Sequence, residues 1–188
     1  EKMSKSKGNF HTMEDILAKY GADVSRITDM KGGEGLDDAN WDSRLADTFS
    51  KKLFSIKEMA LSIADRMKKK RKGAENSGHI DQWLVSQIHR QIKLATAAMD
   101  ETKFRAAIMA SYYEMQSAFK WYERRAEHTD TEAAVFFIET QAALLAPFTP
   151  HICEEAWSEI GKKGFISAAQ WPEFDSNKID ENAEKMES

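Results

Sequence analysis

Three lysines, Lys2, Lys5 and Lys7, open the chain, interleaved with Ser4 and Ser6 and followed by Gly8. Ammonium groups three residues apart, hydroxyl donors between them and backbone amides left open beside a glycine can wrap anionic phosphate oxygens. The stretch is not a P-loop, because the glycine framing is missing and no strand precedes it. By composition alone it is better described as a solvated, lysine-rich end. A second cationic stretch, Arg66, Lys68, Lys69, Lys70, Arg71 and Lys72, puts six cations into seven residues. Such a run is either the favourable positive end of a long helix or a surface that tracks nucleic-acid phosphates. Lys51, Lys52, Arg90, Lys93, Lys120, Arg124 and Arg125 extend the same chemistry. The aromatics near the last of these, Tyr112, Tyr113, Phe119, Trp121 and Tyr122, belong mostly to a core stripe rather than to base stacking.

The elements that must hold these groups are helical. Only nine glycines and three prolines interrupt a chain rich in Ala, Lys, Glu, Met, Ile and Leu, a balance that favours helix. Thr12 followed by Met13, Glu14 and Asp15 marks a helix start, with a break at Gly21 and a second short helix from Ala22 to Met30. Three glycines between Lys31 and Leu36 make a loop. Trp41, Leu45, Phe49, Leu53, Ile56, Ala60, Ile63 and Met67 then recur at steps of three and four, one buried face of a helix of about seven turns. Ile80 to Met99 and Phe104 to Tyr122 carry two more such stripes. Thr131 to Ala146 is apolar on more than one side and is expected at the centre, capped by Thr129 or Asp130. Pro147 and Pro150 bracket a sharp corner, and Pro150 suits the first position of the next helix, which ends near Gly161. His151 reads as a helix-start residue bonded within its own turn, and Cys153 as a small buried hydrophobe.

The expectation is an all-α chain: an antiparallel bundle of four or five helices preceded by a short helical connector. The formal charge of −4, from 27 Lys and Arg against 31 Asp and Glu, gives no global field to attract nucleic acid, so any such surface is a local patch. One cysteine excludes an internal disulfide, and the five histidines show no metal-ligand spacing. No apolar run approaches the roughly 18 residues of a membrane helix, and the polar opening has no signal-peptide pattern. Opening on Glu-Lys is the expected look of a segment cut from something longer.

The order of residues adds a resemblance. Lys2-Met3-Ser4-Lys5-Ser6, followed by Lys7-Gly8-Asn9, resembles the KMSKS signature loop of class I aminoacyl-tRNA synthetases. Tyr20-Gly21-Ala22-Asp23-Val24-Ser25-Arg26 resembles the segment that typically follows that loop. Far along the chain, Leu144-Leu145-Ala146-Pro147-Phe148-Thr149-Pro150-His151-Ile152-Cys153-Glu154-Glu155 resembles a corner of the helical anticodon-binding domain in the Leu, Ile, Val and Met branch. Gln170-Trp171-Pro172 is similar to the tryptophan-proline that closes that domain. Within the branch, Gly35-Leu36-Asp37-Asp38-Ala39-Asn40-Trp41 and Phe10-His11-Thr12 look like the archaeal and eukaryotic type of leucyl-tRNA synthetase.

The resemblance implies a division into a signature loop (1–10), a helical connector (11–40), a tRNA-binding bundle (41–175) and a polar tail (176–188) leading to a further region. It implies that the intact enzyme joins leucine to ATP, used with Mg2+, and then transfers the aminoacyl group to tRNA. Lys5, assisted by Lys2, would stabilise charge on the departing pyrophosphate. Met3 would anchor the loop, and Ser4 and Ser6 would let it close over ATP. The fragment itself, lacking the rest of the nucleotide site, is expected to bind no ATP and to be inactive alone. A cytoplasmic, monomeric parent without membrane contact is also implied, with tRNA as partner. Two alternatives stay open: the isoleucine, valine or methionine enzyme, and a non-enzymatic helical interaction module.

Overall fold

Thr12 opens the first helix, α1 (Met13–Gly32), with a reciprocal cap: its hydroxyl accepts from the Asp15 N–H at 3.1 Å, and the Asp15 carboxylate accepts from the Thr12 N–H at 3.3 Å. The computed structural model to which it belongs describes residues 11–35, 41–69 and 78–180. α1 bends at Gly21, whose φ of 75° and ψ of 173° lie where a side chain would be strained. The expected pair of short helices is thus present as two arms that meet at the non-helical Gly21, the second running on to Gly32 rather than ending at Met30.

Asp42 caps α2 (Ser43–Lys68), and Asp81 reaches back to the Gly78 N–H at 3.0 Å to start α3 (His79–Asp100). The third stripe is interrupted: α4 (Phe104–Ile108) passes into a π turn (Met109–Glu114) before α5 (Met115–Arg125). Such a turn inserts an extra residue and leaves backbone groups needing partners. Here Gln141 donates to the Ser111 carbonyl at 3.3 Å, while its own oxygen accepts from Gln116 at 2.8 Å, all buried. Asp130 caps α6 (Thr131–Leu145), and α7 runs Pro150–Glu159 with the proline at its start.

The stripes meet in one core. α2 packs on α1, α6 and α7, and α3 on α4, the π turn, α5 and α6. Phe49, Ile56, Ile63, Trp83, Leu84, Ile88, Phe119, Phe137 and Phe148 are fully enclosed, each contributing about 1.5–3 kcal/mol of burial. Phe119 stacks on Phe137 with centroids 4.2 Å apart. The Tyr122 hydroxyl donates to Asp81 at 2.5 Å and accepts from the Asp130 N–H at 2.8 Å, tying the starts of α3 and α6 to α5. Cys153 is buried, and burial pushes its thiol up to about 12, as suits a small hydrophobe.

Beyond α7 the chain lies along α3 as a strap. The Trp171 indole donates to Thr96 at 2.8 Å, the Asp175 N–H to His89 Nδ1 at 3.1 Å, and the Asp180 N–H to Ser86 at 2.8 Å. Residues 176–180 are thus fastened to the bundle. Among the described residues there is no strand, and no helix is long and apolar enough to cross a membrane.

Candidate nucleic-acid interface and the joint behind it

Two stretches that sequence pattern singles out separately are in contact. α7 begins without help from its own cap residue, because the Thr149 hydroxyl turns to the Leu145 carbonyl and the Cys153 sulfur. Asp23 of α1 takes over that task from outside. Its carboxylate accepts from the Ile152 N–H at 2.7 Å, from the His151 N–H at 3.3 Å and pairs with His151 Nδ1 at 2.8 Å. The free N–H groups of a helix start are a natural seat for a carboxylate. One turn along α1, Arg26 donates to the Pro147 carbonyl at 2.7 Å and the Phe148 carbonyl at 3.3 Å, where α6 has just ended. An anion therefore faces the start of one helix and a cation the carbonyls beyond the end of the other. His151 starts the helix as expected, but its ring bonds across to Asp23 rather than within its own turn.

A second arrangement lies where the far end of α1, the middle of α2 and the π turn converge. The π turn sets Tyr112 and Tyr113 edge to face, 5.2 Å apart, and both rings also meet Phe49. Lys52 Nζ lies 3.8 Å above the Tyr113 centroid and 5.2 Å from that of Tyr112, and Lys31 Nζ lies 5.6 Å from Tyr113. Aromatic faces attract such cations. Beside them opens a cavity of about 570 Å³ lined by Lys51, Lys52, Lys120, Tyr112, Tyr113 and Glu114, among others. Arg105, donating to the Lys31 and Gly32 carbonyls at 3.2 Å each, braces the end of α1, and the Ala106 N–H holds Glu34 at 3.0 Å.

The electrostatics of this corner are one-sided. Among the described residues Lys31, Lys51, Lys52 and Lys120 have no ion-pair partner, whereas Lys57, Lys69, Lys103 and Lys162 each have one. Burial, then the nearby Lys120 and Lys31, holds Lys52 below the usual lysine range. Burial and then Arg105, against the pull of Glu34, does the same to Lys31. Burial also pushes the Tyr112 phenol up to about 12, so its hydroxyl stays neutral. The corner gathers more cations than carboxylates, and none of these four lysines is ion-paired.

The expected site residues fall differently. Lys2, Met3, Ser4, Lys5 and Ser6 lie outside the described residues, as do Lys70, Arg71 and Lys72. Arg66 pairs with Glu123 at 3.9 Å and Lys69 with Asp65 at 2.6 Å, while Lys68 is exposed. Phe119 and Tyr122 are core residues, whereas Tyr113 and Trp121 are half-buried. Arg125 lies 4.1 Å over the Trp121 ring. Sequence reasoning gave no role to Asp23, Arg26, Lys31 or Arg105. Asp23 and Arg26 carry only a partial signal, as opposite charges three apart on one helix. Thr149 is itself a residue type that caps helices, so the need of the α7 start for Asp23 is visible only in the structure.

The same bundle is found elsewhere. Residues 81–188 match the family described as the anticodon-binding domain of tRNA ligase. The chain belongs to that family. Beyond this anticodon-binding domain, the likeness to curated proteins runs along the full chain. It is 37% identical over 190 residues to a leucine--tRNA ligase of Aeropyrum pernix, covering 100% of this chain and 19% of that protein. Against the leucine--tRNA ligase of Pyrococcus horikoshii it is 36% identical over 177 residues, 92% of this chain and 18% of that one. The chain thus spans about a fifth of the length of these relatives. Its fold matches part of a LeuRS from Agrobacterium radiobacter K84, solved as a ternary complex with tRNA and LeuAMS. That match has a TM-score of 0.80 at 22% identity and covers 95% of this chain and 23% of that one.

Proposed function

We propose that this anticodon-binding domain serves a leucine--tRNA ligase of the archaeal type, an enzyme that activates leucine with ATP and esterifies tRNA with it. Likeness to leucine--tRNA ligases along the whole chain carries this reading. Lys5, with Lys2, supplies positive charge to the triphosphate as pyrophosphate leaves. Met3, Ser4 and Ser6 seat and hinge the loop. ATP enters with Mg2+, whose charge offsets that of the phosphates. Catalysis by such a loop is positioning and charge stabilisation. The enzyme acts in the cytoplasm as a monomer.

The joint gives this reading a mechanical basis. The lysine loop continues into α1, and α1 is fastened at Asp23 and Arg26 to the corner between α6 and α7. The helix that follows the loop in sequence is thereby tied to the bundle that would hold tRNA. The bundle grips tRNA by phosphates and shape, with affinity that falls steeply as salt rises.

Leucine-dependent ATP–pyrophosphate exchange by the intact ligase tests the reading. Lys5→Ala is expected to lower that rate by about a hundred- to thousandfold, and isoleucine, valine and methionine are expected not to substitute for leucine. Exchange that prefers one of those three, or is indifferent to Lys5→Ala, would overturn it. Exchange by the 188-residue chain alone is expected to be absent.

A further inference from the structure

Lys52 and Lys120 line a cavity in which neither forms an ion pair with the one carboxylate of the lining, Glu114. They come from α2 and α5, and Lys31 approaches from α1, so the cations stand around an opening rather than along one helix face. Two carboxylates are close, Glu114 in the lining and Glu34 beside Lys31, and neither forms an ion pair with these lysines. Glu34 is instead engaged by the Ala106 N–H. Like charges brought this close are unfavourable by themselves, and burial adds to the cost. An anion entering the cavity would relieve both.

The aromatic rings indicate what kind of anion. The Tyr113 face is already taken by Lys52, and Tyr112 is buried to 5% exposure. With Tyr112 buried and Tyr113 covered by Lys52, the lining favours contact through charge over stacking of a nucleobase. The rings serve to hold the Lys52 ammonium in place, which reduces the entropy it would lose on pairing. At about 570 Å³ the space is larger than one phosphate group and admits the sugars flanking it.

We propose that the cavity between α2 and the π turn is a binding site for a phosphodiester of an RNA backbone, whose non-bridging oxygens are held by Lys52 and Lys120 with Lys31 behind them. The site reads phosphate and not base. The inference rests on the reading that this domain binds tRNA, and names where and through which groups it does so. The π turn matters because it sets Tyr112 and Tyr113, successive residues, both toward Lys52.

The test is the affinity of the 188-residue chain for a leucine tRNA transcript across a salt series, read by fluorescence anisotropy. Lys52→Gln with Lys120→Gln is expected to weaken binding at least tenfold at low salt and to reduce the slope of log K against log salt by about one per lysine. Lys52→Arg is expected to keep the slope. Lys57→Gln, on the same helix but paired with Glu155 at 3.0 Å, is the charge-matched control and is expected to change neither. On the unaltered chain, bound tRNA is expected to protect Lys52 and Lys120, but not Lys57, from amine acetylation, a readout that needs no variant to fold. A double variant with unaltered slope, or lysines acetylated equally with and without tRNA, overturns the site and leaves the tRNA reading standing. A chain that binds no tRNA at any salt overturns both. Displacement of tRNA by polyglutamate as effectively as by unrelated RNA would make this a site for acidic peptide instead, and would also overturn the proposal.

Discussion

The joint and the cationic corner lie at opposite ends of the second arm of α1 and treat charge in opposite ways. At the joint, Asp23 and Arg26 are both answered: one by two N–H groups and an imidazole, the other by two carbonyls. At the corner, Lys31, Lys52 and Lys120 are drawn together and none forms an ion pair, although Glu34 and Glu114 lie close by. Charge that is fully partnered inside one chain holds that chain together. Charge that is assembled and not ion-paired is what the proposed phosphate site requires. The two regions should therefore respond in opposite senses to losing a charge: the joint in stability, the corner in binding.

The largest effect is expected from Asp23→Ala, which strips α7 of the carboxylate that caps it and leaves the His151 and Ile152 N–H groups open. Loss of a cap and of charge-assisted bonds should cost about 2–3 kcal/mol, measured by urea unfolding. The tRNA salt slope should stay unchanged. A variant that lost binding while keeping its stability would erase the contrast. Lys52→Met makes the converse case, keeping the alkyl stem while removing a cation held below its usual range by burial and by Lys120 and Lys31. It should weaken tRNA binding severalfold without lowering Tm, and a clear fall in Tm would show Lys52 to be structural. Arg26→Lys comes next. A lysine cannot present the two separate N–H donors that reach Pro147 and Phe148, so a loss of about 1 kcal/mol is expected in the same unfolding assay.

The smallest effect concerns the strap. His89 Nδ1 accepts the Asp175 N–H, so the ring's proton sits on Nε2, which is buried without a partner. Burial, followed by Lys178 and against the pull of Asp175, holds its pKa below 6.5. A group whose folded pKa is depressed supports the fold above its unfolded pKa and loses that support as pH falls toward the folded value. Stability should therefore decline on acidification below about 6.5, and the decline should be shallower in His89→Gln. Comparing Tm at pH 7.5 and 5.5 for both proteins isolates the difference. An equal decline in the two would remove His89 from the account.

Much of the fold is legible in the sequence because a helix buries every third or fourth residue, so Phe49, Leu53, Ile56, Ala60 and Ile63 announce α2 unaided. The capping residues Thr12 and Asp130 are equally local. The π turn escapes that logic. Ile108, Tyr112, Met115, Phe119 and Tyr122 keep a helical rhythm straight through it, and only Gln141, from another helix, reveals that a backbone carbonyl needed a partner there. The joint is half legible: both stretches stand out as motifs, but no spacing says that Asp23 meets Ile152. The cationic corner is the least legible, since sequence gives weight to contiguous charge such as 66–72. Lys31, Lys52 and Lys120 become neighbours only once α1, α2 and α5 have packed.

The central claim is that this bundle grips tRNA through lysines that the fold leaves without ion pairs. The direct measurement is the affinity of the chain for a leucine tRNA transcript at about 50 and 200 mM salt. Binding that falls steeply between the two, by an amount that Lys52→Gln with Lys120→Gln reduces and Asp23→Asn does not, is the predicted result. Affinity that is absent, or indifferent to salt and to those lysines, would contradict it.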